Sequence, residues 1–162
     1  MVDWITEIFC PLLGVVLANL TFASPTKEVR LVQKRRDLGN LNPIPFGVTF
    51  ASCIGWTAYG CIKRDVYVFL SAMPGLVLSL YFCTTSMSLL MLRNQGTDLK
   101  VYFQMEMLVL GGALSWCIIA LIVALILSPT GIEHEYAYTL VGSINGILTF
   151  LYYASPATSA LL

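Results

Sequence analysis

The sequence predicts an all-α membrane protein, a polytopic bundle of about five transmembrane helices. Apolar residues make up 57% of the 162 residues and charged residues only 11%, whereas a soluble domain carries about a quarter charged residues. A helix rises about 1.5 Å per residue and the hydrocarbon core is about 30 Å thick, so 19 to 27 uncharged residues can cross it. Five segments of this kind lack Asp, Glu, Lys, Arg and His: residues 8–26, 38–62, 66–92, 107–132 and 136–162.

The residues before the first segment indicate whether it is a membrane helix or a signal peptide. The first segment follows Asp3 and Glu7 rather than a basic cluster, which favours a membrane helix over a cleaved signal peptide.

Proline removes an N–H and bends a helix, and in lipid the carbonyl that loses its donor needs another partner. Prolines therefore indicate bends in several of the predicted helices, at Pro25, Pro45, Pro74 and Pro156. Pro11 is also compatible with the start of a helix, and Pro43 is expected at a membrane interface.

Basic residues between the segments are unevenly distributed. Residues 27–36, which we expect to form a loop, carry five bases, and Arg93 and Lys100 lie between the third and fourth segments. One face of the bundle thus holds seven of the nine bases, and the positive-inside rule makes that face cytosolic and the N-terminus extracellular. The basic loop is also compatible with binding to anionic lipid or nucleic acid, but a net charge of zero argues against nucleic acid.

Residues that support catalysis or metal binding are scarce. The five cysteines lie in the apolar segments, and their spacing fits neither a zinc site nor a disulfide framework, so we predict a packing role. The one histidine, His134, lies between Glu133 and Glu135, where a solvated loop is favoured over a metal or proton site. The sequence contains no nucleophile–base pair and no phosphate-binding glycine loop, so it predicts no enzyme, no metal and no cofactor.

A short repeat connects the first and fifth segments. Phe22-Ala23-Ser24-Pro25 ends the first segment, and Tyr153-Ala154-Ser155-Pro156 occurs 131 residues later in the fifth. Parallel repeats of this kind are a construction principle of membrane transporters. The repeat therefore points to a transporter built from two related halves.

Further motifs in the first three segments carry a resemblance to a known family. They are Pro43-Ile44-Pro45, Trp56-Thr57-Ala58-Tyr59-Gly60, Asp65-Val66-Tyr67-Val68, Gly75 and Tyr81. With the Ser-Pro repeat, their order resembles the SWEET sugar transporters of the PQ-loop group. The resemblance implies two three-helix bundles joined by a linker helix: residues 1–92 form the first bundle, 93–132 the linker and 133–162 the first helix of an incomplete second bundle. The printed sequence then has the pattern of a truncated member.

The resemblance implies a facilitative uniporter of mono- or disaccharides that works by alternating access. Pro25, Pro45 and Pro156 match three of the family's four hinge prolines, and the fourth lies on a helix with no counterpart here. Ordinary kinks in membrane helices are the alternative interpretation of these prolines. No carboxylate lies deep in a predicted span, which favours facilitated diffusion over ion-coupled transport.

The resemblance also implies a sugar site. The aromatic residue at the position of Trp56 flanks the sugar, and the residue at the position of Tyr59 helps to close the extracellular gate, although both are also typical interface anchors. Ala72 departs from the pattern, because the family usually has there an asparagine whose amide binds sugar hydroxyls. Ser52 or Ser71 is the candidate for a replacement hydroxyl.

The expected partners are a sugar substrate, membrane lipid and a second chain in a homo- or hetero-oligomer, and the expected location is the plasma membrane. One alternative is a degenerate or truncated, non-transporting member that acts through assembly with other chains; Ala72 favours it. Another is a PQ-loop transporter of a different small solute.

Overall fold

The computed structural model describes residues 4–93, 96–122, 136, 139–147 and 149–150. A π-helical segment, Ile5–Phe9, leads into α1. Five α-helices follow in the described residues: α1 (Cys10–Ala23), α2 (Thr26–Arg35), α3 (Ile44–Lys63), α4 (Val66–Arg93) and α5 (Gly96–Ile122). Residues 139–147 are also helical. The predicted all-α class is confirmed for the described residues.

Within these residues, length and composition allow three helical stretches to cross a membrane: Ile5–Arg35, Val66–Arg93 and Asp98–Ile122. Helix α3 has 20 residues and is not among them. Small and hydroxylated residues such as Gly47, Thr49 and Ser52 replace large apolar ones along α3, which lowers its hydropathy. The fifth predicted segment lies partly outside the described residues.

The prediction of a loop at residues 27–36 is wrong, because most of that segment forms α2. Its amphipathic pattern explains the helix: Val29 is fully buried, while Lys27, Arg30 and Lys34 are exposed. Glu28 in the first turn and bases in the last turn also match the helix dipole. The helix ends where Arg36 adopts a left-handed conformation with φ of 55°.

Helix α5 begins at Gly96, eleven residues before the predicted fourth segment. The predicted segment was limited to residues without charge, whereas α5 includes Asp98 in its first turn. A carboxylate there interacts favourably with the helix dipole. Asp98 also faces Arg93 at 3.3 Å, and Arg93 reaches Asp37 at 3.4 Å. The charged residues therefore join the ends of α4 and α5 to the segment after α2.

The buried face of α4 is a stripe that recurs every three or four residues, as expected for a helix packed along one side. We call this set the α4 stripe: Ala72, Gly75, Ser79, Phe82, Ser86 and Leu89. Its first half contains small side chains, whereas Phe82 and Leu89 in its second half are large. Phe82 belongs to a core cluster with Val29, Phe46 and Met105 from three other helices.

Small residues also bring α3 and α5 together. A Cβ atom at Gly47 would lie 3.0 Å from Leu108 Cβ, one at Gly112 would lie 2.7 Å from Ala51 Cβ, and one at Gly55 would overlap the Trp116 ring. Gly47, Ala51 and Gly55 are spaced by four residues, which is the small-residue pattern of close membrane-helix contacts. Since both residue series ascend together, α3 and α5 run parallel.

Pro74 leaves the Leu70 carbonyl of α4 without its usual intrahelical donor, because proline has no N–H. Asn19 of α1 replaces that donor: its Nδ2 donates to the Leu70 carbonyl at 3.2 Å and to the Val15 carbonyl at 2.8 Å. A carbonyl freed in a membrane helix needs such a partner. Asn19 therefore links α1 to α4 where proline interrupts the hydrogen-bond ladder.

We predict that Asn19→Leu lowers the free energy of unfolding by about 1 kcal/mol, since it removes the bond to Leu70. The loss should be smaller in a Pro74→Ala background, where the restored N–H at position 74 serves the same carbonyl. SDS-unfolding titrations of the four proteins measure this coupling. Thr21→Val is the control, because the Thr21 hydroxyl bonds to Leu17 within α1 and its removal should have the same effect in both backgrounds. Equal losses for Asn19→Leu in both backgrounds would contradict the prediction.

Candidate functional site

A cavity of about 310 Å³ lies between α1, α3, α4 and residue 149, within the lower range of small-molecule sites. We call it the central cavity. Of the residues predicted to bind substrate, the structure brings Ser52, Trp56 and Ala72 together here. The lining residues are Ala18, Phe22, Thr49, Ser52, Cys53, Trp56, Val68, Ser71, Ala72 and Thr149.

Helix α3 positions Ser52 and Trp56 on one face because they are four residues apart. Thr149 meets both: its Oγ1 lies 3.0 Å from Ser52 Oγ and accepts a hydrogen bond from Trp56 Nε1 at 3.4 Å. Thr149 in turn donates to the Asn145 carbonyl at 2.8 Å. Because the Thr149 hydroxyl donates its one proton to Asn145, it accepts from Ser52 in their contact. These bonds fix the orientation of the Trp56 indole.

Other hydroxyls at the cavity wall donate back to their own helices. Thr49 Oγ1 donates to the Pro45 carbonyl at 2.9 Å, and Ser71 Oγ donates to the Val68 carbonyl at 2.8 Å. A hydroxyl that has donated its proton still has lone pairs that accept hydrogen bonds. The wall therefore offers acceptors, which suit a solute with several O–H donors. Among the residues that the structure describes, those that line the central cavity carry no charged side chain.

Ala72 lies on the α4 stripe and is only 4% exposed. Its methyl group forms part of the cavity wall but supplies no hydrogen bond. The polar contribution that the family pattern expects at this position is therefore absent. Ser71, the neighbouring candidate, does line the cavity.

Tyr59 lies one turn beyond Trp56 on α3 and does not line the central cavity. Its ring contacts that of Trp56 edge-to-face, with centroids 5.7 Å apart. A Cβ atom at Gly142 would lie 2.8 Å from Tyr59 Cε2, and Lys63 Nζ lies 5.5 Å from the ring centroid. Tyr59 thus packs between α3 and residues 139–147, and its role as a gate stays a prediction.

The hinge prolines Pro25 and Pro45 meet at a second cavity of about 270 Å³, which we call the proline cavity. Pro25 lies between α1 and α2, and Pro45 lies in the first turn of α3. Gly75 and Phe82 of α4 form another wall. Pro156 lies outside the described residues, and the hinge role of all three prolines stays a prediction.

Sequence reasoning missed Ala18, Thr149 and Asn145, of which the first two occupy equivalent positions before the Ser-Pro repeat. Ala18 lies seven residues before Pro25, and Thr149 lies seven residues before Pro156. Both line the central cavity. The repeat relates Thr149 to Ala18, but the sequence marks neither of them as a cavity residue. Asn145, whose Nδ2 donates to the Ser52 carbonyl at 3.2 Å, has no comparable signal.

The described residues contain no group of three or more His, Cys, Asp and Glu side chains able to hold a metal ion. His134 lies outside them. All five cysteines are free, and Cys53 and Cys83 are buried. Cys53 is the only cysteine among the residues that line the central cavity.

Comparison with family models gives a match over residues 9–95, more than half of the chain, to a family described as "Sugar efflux transporter for intercellular exchange". The chain belongs to this family, the SWEET transporters. No curated protein and no solved structure matches the chain. The matched residues include all of α1 to α4, and residues of α1, α3 and α4 line both cavities. At the level of the family, SWEET proteins are transporters of sugar rather than enzymes, and this SWEET chain is an integral membrane protein.

We predict that Gly55→Ala lowers the free energy of unfolding by about 1–3 kcal/mol, as expected for overpacking. The new methyl group would overlap Trp116 and come 2.7 Å from Asn145 Cγ, both of which are buried. Gly111→Ala is the matched control in α5, because no atom lies within 4 Å of its Cβ position. It should raise the free energy by about 0.5–1 kcal/mol, since alanine favours a helix. SDS-unfolding titrations test both signs, and a neutral Gly55→Ala would show that α3 is not held this tightly.

Proposed function

We propose that this SWEET chain is a facilitative uniporter of mono- or disaccharides that works by alternating access in the plasma membrane, with an extracellular N-terminus. The central cavity carries the proposal, because it combines an indole wall with several hydroxyl oxygens. A sugar ring has apolar C–H faces that pack on an aromatic ring, and hydroxyls that need a few fixed polar partners. Trp56 supplies the aromatic ring. The hydroxyl groups of Ser52, Thr49 and Ser71 supply the polar partners.

In this proposal the helices move about the prolines. Pro25 separates α1 from α2, and Pro45 begins α3, so each lies where a helix can change direction with little loss of backbone hydrogen bonding. Rocking about Pro25, Pro45 and Pro156 would open the central cavity alternately to the two sides of the membrane. Tyr59 closes the extracellular side in this scheme.

Uncoupled transport fits the chemistry of the cavity walls. Within the described part of the chain, the residues that line the central and proline cavities include no Asp, Glu, His, Lys or Arg. Proton- and ion-coupled transporters use ionisable groups inside the membrane. Walls of this composition favour movement of a neutral solute down its gradient.

We also propose that the chain works in a homo- or hetero-oligomer. In this proposal residues 1–92 are the first bundle, residues 93–132 the linker and residues 133–162 the first helix of a second bundle. The outward face of α1 is apolar and exposed at Leu13, Leu17 and Leu20. In the membrane such a face contacts either lipid or another chain, and in the proposed oligomer it is available to the second chain.

We predict that vesicles containing the purified chain take up radiolabelled glucose or sucrose, and that Trp56→Ala and Pro45→Ala each reduce the initial rate at least about tenfold, the effect of losing about 1.4 kcal/mol. Trp56→Ala removes the ring that packs on the sugar, and Pro45→Ala stiffens a proposed hinge. Trp4→Ala and Pro11→Ala are matched controls, because neither residue lines the central or proline cavity.

Absence of uptake, together with co-purification with a longer SWEET protein, would contradict uniport by this chain. That result would support the second candidate function, a non-transporting member that acts through assembly with other chains. Ala72 favours this candidate, because its methyl group replaces the amide expected at the cavity wall. Uptake of a different small solute in place of sugars would support the third reading, a PQ-loop transporter with another substrate.

We predict that Ala72→Asn increases the rate of glucose uptake at low sugar concentration, because the added amide can bind sugar hydroxyls. Ala72→Leu is the matched control: it adds a similar volume without a polar group and should reduce uptake. The comparison uses initial rates over a range of glucose concentrations, with protein content measured in each vesicle preparation. Equal loss of uptake in both variants would show that position 72 is limited by space rather than by polarity.

A further inference from the structure

Phe22 lies between the central cavity and the proline cavity. It lines both of them, as does Thr49. The central cavity contains Ser52 and Trp56 on one side of Phe22, and the proline cavity contains Pro25 and Pro45 on the other. The Phe22 ring and the Thr49 side chain therefore separate the two spaces.

Gly75 provides the surface against which the Phe22 ring packs. A Cβ atom at Gly75 would lie 2.6 Å from Phe22 Cδ2 and 2.7 Å from Cε2. No side chain other than hydrogen fits at position 75 while the ring stays in place. The ring thus contacts the backbone of α4 directly, at the small half of the α4 stripe.

Phe22 is also close to the break between α1 and α2. It precedes Pro25 by three residues, and the Ser24 N–H bonds to the Thr21 carbonyl at 3.2 Å in the turn between them. Asn19, one turn earlier on the same face of α1, is bonded to α4. Bending at Pro25 would change the angle between α1 and α2, and Phe22 lies in the last turn of α1 beside that bend.

We propose that Phe22 is the partition of the transport path, and that its ring leaves Gly75 when solute passes between the central and proline cavities. This inference rests on the transport function proposed above and assigns its control to one residue. An aromatic ring is a suitable barrier because it excludes water and polar solutes from a narrow apolar passage. Its two side-chain dihedral angles also allow it to swing aside as a rigid unit.

Accessibility of Cys53 tests the partition without requiring transport. Cys53 lines the central cavity and is 2% exposed. In a variant in which the other four cysteines are replaced by alanine, a membrane-impermeant thiol reagent is added from the face that carries the α2 bases. Phe22→Ala should increase the rate of Cys53 labelling several-fold, and Phe22→Leu should give an intermediate rate. Phe103→Ala, at an exposed position of α5 outside both cavities, is the control and should leave the rate unchanged.

Gly75→Ala gives a second, independent test, because its methyl group displaces the ring. It should increase Cys53 labelling in the parent but have no further effect in Phe22→Ala, where no ring remains to be displaced. Gly111→Ala, which meets no atom within 4 Å, should have no effect in either background. Size-exclusion profiles verify that each variant is folded.

Unchanged labelling in a folded Phe22→Ala protein would overturn the partition, as would an equal effect of Gly75→Ala in both backgrounds. Sugar uptake measured on the same variants separates this outcome from failure of the proposed function. If Trp56→Ala reduces sugar uptake but Phe22→Ala leaves the rate of Cys53 labelling unchanged, the partition is contradicted and the transport function is not. Labelling that depends on Phe22 without any sugar uptake would support the partition and contradict the transport of sugars.

Discussion

Side-chain size changes along the α4 stripe, from Ala72, Gly75 and Ser79 in its first half to Phe82 and Leu89 in its second. Ala72 of the first half lines the central cavity, and Gly75, Ser79 and Phe82 line the proline cavity. Phe82 also packs with Phe46 and Met105 in the core cluster. The α4 stripe therefore carries both the cavity walls and the core, and a path for solute needs such cavities because close-packed protein interiors have no room for solutes.

Two further contacts hold the walls around this space. The small-residue series of α3 brings α5 close, and Trp116 covers Gly55 behind the wall that carries Ser52 and Trp56. On the other side, Asn19 bonds to the carbonyl that Pro74 leaves without a donor. The wall formed by α3 is thus fixed by packing, whereas α1 is attached by a hydrogen bond near its last turn. This difference favours α1 as the moving wall.

Helical periodicity made part of the site predictable from sequence. Ser52 and Trp56 share a face of α3 because of their spacing, and their meeting with Ala72 follows the family pattern. Helix α2 was missed because its charges suggested a loop, although Val29 and Val32 follow helical spacing. Phe22 was missed for a different reason: its position between two cavities depends on the absence of a side chain at Gly75, which only the packed structure reveals. Thr149 is related to Ala18 by the repeat, but the cavity role of both is visible only in the packed structure.

Binding of sugar beside Trp56 is the central claim, and tryptophan fluorescence tests it most directly. Trp4→Phe and Trp116→Phe leave Trp56 as the sole tryptophan of the 3 in the chain. Titration with glucose and sucrose should change the Trp56 emission saturably, and alanine, a small solute without a sugar ring, should not. If neither sugar changes the Trp56 emission of folded, monodisperse protein, the assignment of the central cavity as a sugar site is contradicted.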